Sequence, residues 1–268
     1  MTATLTLYCL SSIAFILYLF IRKKTLAVIA RTLFIASMIL HLISIILLSL
    51  YLKGLPVASI PQAMNMMIFF ASLVFILLVF RKATTSLGAF FVPLATFVLA
   101  LISPAIGINE PFIPHERFWY PLHTLTVIIG EALFMVASVA SIVYLLHERL
   151  IQKGAIHAPG TGLPPLTILD RILMAALSFG FIAITIGMIL GGFWAANAGI
   201  AVASIAPKIA AGAIMWFVFA FSIHQRFAIG WQGSRTAVIT IIGCFLMILF
   251  FVGLQILYPH AHGLGILP

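Results

Sequence analysis

Eight histidines sit in a chain of 268 residues of which only 7% are charged, and four occupy positions where an imidazole could do chemistry. His41 lies inside an apolar run, and His224 lies near the end of another, beside Arg226. His123 opens a third run, and His262, with His260 near it, follows the last. Neutral imidazole is the commonest metal ligand, and haem iron takes it axially. Two such ligands on different helices can clamp opposite faces of one porphyrin. Depth pairs His41 with His224 in the membrane and His123 with His262 at the outer face. The competing reading is four unrelated histidines, each hydrogen-bonded to a backbone carbonyl or a headgroup. Composition does not choose between them. His115, His147 and His157 fall in loops and read as solvated or interfacial.

The elements that must position these residues follow from composition. The chain is 64% hydrophobic, where a soluble domain would carry about 25% charge. It reads as all-α: a polytopic membrane bundle. A spanning helix needs about 20 apolar residues, and eight segments qualify: Thr4–Ile21, Thr32–Leu52, Gln62–Phe80, Leu87–Ile106, Leu122–Leu146, Ile172–Trp194, Lys208–Gln225 and Thr236–Leu257. Eleven basic residues (Arg22, Lys23, Lys24, Arg31, Arg81, Lys82, Arg149, Lys153, Arg171, Arg226 and Arg235) fall on one side, against Lys53, Arg117 and Lys208 on the other. The positive-inside rule puts the eleven in the cytoplasm and both termini outside. The net charge of +9 therefore follows topology and is no argument for nucleic acid.

Residues 1–268 are expected to form one integral-membrane domain, with a Gly- and Pro-rich cytoplasmic loop over 147–170. The first apolar run lacks a basic leader and a small-residue cleavage site, so it reads as a retained helix. Cys9 and Cys244 lie in separate runs with no metal-binding or disulfide spacing. In the stretch from Gly191 to Arg226, the chain is expected to leave the sixth helix at Trp194 and cross a short loop of small residues. It should re-enter at Pro207-Lys208 and close on His224. Phe118, Trp119 and Tyr120 suit an interfacial aromatic belt.

Glu131 is the lone acid deep in a helix, where ionisable groups are costly and tend to be functional. It is expected to be protonated, paired, or on a proton or cation path. Asp170, before Arg171, suits the start of the sixth helix, where an aspartate favours the helix dipole. Gly187, Gly191 and Gly192 suit close helix approach, and Met64, Met66 and Met67 suit packing. No nucleophile–base pair, HExxH or phosphate loop is visible, so catalysis by the chain's own side chains is not expected.

Several stretches together resemble the CcsA-type cytochrome c assembly proteins, especially their compact eight-helix YpjD-like branch. The stretch LHLISIILLSLYLKGLPVASIPQAMNMMIFFASLVF resembles that family's LH-containing helix and following loop. PLHTLTVIIGEALFMVASVASIVYLL resembles its outward-facing histidine helix, and LDRILMAALSFGFIAITIGMILGGFWA resembles the helix that opens with LDR and closes with GxWA. SIHQR and GWQGSR resemble its LHxR and GWxGxR, and FVGLQILYPHAHGLG its last helix and terminal histidine. The resemblance implies a haem-handling protein of cytochrome c biogenesis that holds or conducts haem b by paired histidines. It nominates His41 with His224 for an inner site and His123 with His262, near Trp194, for an outer one. It also implies other cytochrome c maturation membrane proteins as partners and a prokaryotic inner membrane as the location.

One departure matters. The family's outer loop ends in WxWDPK; Trp194, Pro207 and Lys208 remain, but Ala203, Ile205 and Ala206 replace the two tryptophans and the aspartate. A platform for a flat apolar macrocycle needs large π faces, so thioether attachment by this chain alone is not expected. The alternative function is a membrane accessory or ion-transport component that keeps the fold without haem.

Overall fold

The computed structural model describes residues 1–57, 59–106, 118–154 and 162–257, and all regular structure among them is helical. Among the described residues eight α-helices overlap the eight expected segments in order: α1 (Thr2–Ile21), α2 (Lys24–Leu52), α3 (Ile60–Val79), α4 (Gly88–Ile102), α5 (Trp119–Gln152), α6 (Leu166–Asn197), α7 (Val202–Ala228) and α8 (Ser234–Leu257). Among the described residues, seven spans are long and apolar enough to cross a membrane, α4 being counted with its flanking 3-10 turns. Helix α8 adds a shorter apolar stretch, Ser234–Phe250. The chain is a polytopic helical membrane protein.

The differences lie at the helix ends. Helix α2 starts at Lys24, and its Arg31 donates to the Thr85 hydroxyl and lies 5.9 Å from the Phe80 ring centre. Helices α5 and α6 also overrun their apolar cores, so residues 147–152 and 166–170 of the loop expected over 147–170 are helical. His147 is thus helical and buried, its Nδ1 donating to the Pro164 carbonyl at 2.8 Å. Helix α7 begins at Val202, so Pro207 and Lys208 lie in its second turn and do not mark its entry. The three replaced loop positions, Ala203, Ile205 and Ala206, are helical as well.

The helices pack in two sets. Helix α1 packs on α2 and α4, and α3 packs on α2 and α4; α5 packs most extensively on α6 and also on α8, while α7 packs on α6 and α8. The α3–α5 contact joins the sets. Large aromatic rings fill the first, with Phe75 stacked on Phe91 at 3.9 Å between ring centres. Glycine sets the α5–α6 distance. A Cβ added at Gly180 would lie 2.8 Å from Phe134 Cδ1 and 3.1 Å from the Gly130 carbonyl oxygen. One added at Gly187 would lie 2.7 Å from Val127 Cγ2, whereas Gly192 faces open space. Overpacking costs about 1–3 kcal/mol. Gly180→Val should therefore lower the unfolding temperature in detergent clearly, and Gly192→Val should barely move it.

Candidate functional site at the outer helix ends

His123 is the fifth residue of α5, one turn beyond Trp119. Pro121 sits in that first turn, where its missing N–H removes no helical hydrogen bond. The imidazole lies against α6. A Cβ at Gly191 would be 2.7 Å from His123 Cε1, so only glycine leaves room for the ring. His123 Nδ1 lies 2.7 Å from the Gly187 carbonyl oxygen. A carbonyl only accepts, so Nδ1 carries the proton and Nε2 carries the lone pair. Among the described residues no hydrogen bond occupies Nε2.

Five aromatic rings gather at the ends of α5 and α6, and one of them, Trp194, faces this imidazole. Trp194 is nearly parallel to the His123 ring, at 6.1 Å and 9°. Tyr120 contacts Trp194 at 5.2 Å, and Trp119 stacks on Phe193 at 5.5 Å. Phe118 meets Trp119 edge-on at 5.1 Å. The Tyr120 hydroxyl donates to the Val57 carbonyl at 3.2 Å, which ties the cluster to the chain between α2 and α3. The FWY triplet and the FW pair at the ends of two helices were the available signal; their convergence was not foreseen. His262 and its neighbour His260 lie outside the described residues, as do His115 and His157.

His41 is arranged differently. Its side chain is 0% exposed, turned toward α1 and α3. Nε2 lies 3.1 Å from Asn65 Oδ1, and Nδ1 lies 3.3 Å from the Tyr8 hydroxyl, which bonds Ser72 Oγ at 3.0 Å. Phe69 and Tyr8 meet the ring edge-on at 5.5 and 5.8 Å. His224 is exposed near the end of α7 and makes no side-chain hydrogen bond among the described residues. At 1.5 Å per residue, His41 is about 25 Å from the start of α2, and His224 about 6 Å from the end of α7, both measured from the basic-loop face. Counted this way along straight helices, the two rings stand at different depths.

Glu131 is buried in α5 and has no hydrogen bond or ion pair among the described residues. Asp170 was expected at the very start of the sixth helix but is the fifth residue of α6, which begins at Leu166. It pairs with Arg226 through two bonds, Nη1–Oδ1 at 3.1 Å and Nη2–Oδ2 at 2.6 Å. Arg226 Nη1 also donates to the Trp231 carbonyl at 3.1 Å, and Gly233 N–H donates to Asp170 Oδ1 at 3.4 Å. Arg235 lies over the Trp231 ring at 5.5 Å. Three separate sequence motifs, LDR, SIHQR and GWQGSR, therefore meet in one cluster at the basic-loop face.

Fold and site together define a class: a polytopic membrane protein with an aromatic-lined histidine at one end of its longest helix pair. The chain belongs to the cytochrome c assembly protein family, whose pattern it matches over residues 1–262. It is 27% identical over 208 residues to the cytochrome c biogenesis protein CcsA of Prochlorococcus marinus, covering 69% of this chain and 65% of that one. It is 25% identical over 235 residues to the protein of that name from Porphyra purpurea, covering 72% and 74%. The chain thus spans slightly under two thirds of the first relative's length. No solved structure matches it.

Proposed function

We propose that this chain holds haem at the outer face of a prokaryotic inner membrane during cytochrome c maturation, with His123 as an axial ligand. The carrying observation is the His123 Nδ1–Gly187 bond, which leaves Nε2, beside Trp194, with no hydrogen bond among the described residues. Metal-bound histidines characteristically donate the other ring N–H to a carbonyl or carboxylate, which fixes the ring and raises its basicity. The residues present fit the cargo. One imidazole is set in the ligating tautomer, and Trp119, Tyr120, Phe193 and Trp194 supply the large π faces missing from the start of α7. The family resemblance offers His262 as the second ligand and haem b as the form bound; iron in haem takes imidazole axially. Partner membrane proteins of the maturation system would receive the haem, since residues 203–206 provide no tryptophan of their own.

The test is the absorption spectrum of protein purified in mild detergent from haem-replete cells, oxidised and then dithionite-reduced. A Soret band with sharp reduced α and β bands is expected. A colourless protein at full yield would sink this reading.

A second reading, an accessory or ion-transport component, draws on Glu131, since a buried acid with no partner among the described residues of a spanning bundle fits an ion path. Glu131→Gln should leave the haem spectrum unchanged under the first reading. Under the second it should abolish proton or cation flux into liposomes carrying the purified protein.

A further inference from the structure

We infer that His41 is the hub of a polar clasp joining α1, α2 and α3 and not a haem ligand, so that the described residues offer haem one histidine-ligated site, at the outer end. The site count rests on the haem reading above; the clasp does not. A neutral imidazole has one N–H to give and one lone pair to offer. At His41 both are used: one nitrogen is bonded to Asn65 of α3 and the other to Tyr8 of α1. Either tautomer is satisfied, because the tyrosine hydroxyl both donates and accepts and the Asn65 carboxamide can present either end. No lone pair remains for iron.

The ring also has no open edge. It is fully buried, and Phe69 and Tyr8 pack against it. Its partners are themselves buried, with Tyr8 and Ser72 0% and Asn65 1% exposed. Such a closed set of hydrogen bonds suits helix association in a bilayer, where polar side chains act as glue between helices. His224, the nominated partner, is exposed near the end of α7 and carries none of these contacts.

The experiment measures haem per polypeptide by pyridine haemochrome, together with thermal unfolding, in wild type, His41→Gln, His41→Leu, Asn65→Leu and Tyr8→Phe. Wild type should carry no more than one haem per chain. Glutamine can keep one of the two bonds, so His41→Gln should retain the wild-type haem ratio and Soret position. The other three should unfold at lower temperature, again with no change in haem ratio. Two haems per chain, falling to one in His41→Gln, would overturn the inference and leave the outer site standing. So would a rise in haem content in Asn65→Leu, because it would mean that a freed His41 nitrogen recruits iron. A colourless wild type would overturn the haem reading and the count with it. The clasp would still be decided by the unfolding temperatures, and unaltered stability in His41→Leu and Asn65→Leu would overturn it. Should His41→Gln fail to fold, Asn65→Leu and Tyr8→Phe carry the test.

Discussion

Replacing His123 with alanine is expected to lower the haem bound to the purified protein by more than about tenfold, while leaving the unfolding temperature nearly unchanged. The size follows from what is removed. Losing only an outer partner of a metal-bound histidine costs about 10–100-fold in affinity, and this change deletes the ligand itself. Stability should survive because the ring is half-buried at a helix end and contributes one hydrogen bond, to Gly187. The mutation also leaves Trp119, Tyr120, Phe193 and Trp194 in place. Imidazole added to the His123→Ala protein should therefore restore a low-spin spectrum by occupying the vacated space. An unaltered Soret band in His123→Ala would show that the iron is held elsewhere.

The second large effect concerns Asp170 and Arg226. Asp170→Ala or Arg226→Ala should each destabilise the protein by about 3–5 kcal/mol, because either leaves an uncompensated, largely buried charge. Their side chains are only 19% and 17% exposed, so water screens the pair weakly. Each change also strands a second group: Gly233 N–H loses its acceptor, or the Trp231 carbonyl loses its donor. Replacing both residues with leucine should cost far less than the two alanine changes summed, since no lone charge then remains. Chemical unfolding in detergent measures this. Additive losses in the double variant would show that the two residues act independently.

The helices were legible because lipid imposes one strong rule, a run of apolar residues bounded by charge. Helix ends were less so, since that rule marks where hydrocarbon stops and the backbone ladder continues beyond it. Lys24, Arg31 and Arg149 were expected in the loops between spans, yet all are helical. His147 and Asp170 were misplaced for the same reason, the first assigned to a loop and the second to the very start of a helix. Within the site, His123 and Trp194 could be nominated one by one. The carbonyl that sets the His123 tautomer belongs to a residue 64 positions away, and no periodicity reports it. The Asp170–Arg226 bond spans 56 positions and was equally hidden. His41 shows the opposite case: a histidine in an apolar run looks unsatisfied until the tyrosine and asparagine of two other helices are placed beside it.

The length of α5 decides where an acceptor must go. Its 34 residues make a rod about 51 Å long, against about 30 Å of hydrocarbon in a bilayer. Glu148 and Arg149 are the first charged residues below Glu131 on this helix, and charges of that kind settle at a water boundary. Counting upward from Arg149, the oil is used up after about 20 residues, near Ile129. His123 then stands about 9 Å higher, or about 7 Å if the rod leans by the usual ~20°. At that height the imidazole is among wetted headgroups. Haem ligated there would be presented in the water layer, so a membrane partner need reach it only with a part that stands outside the oil.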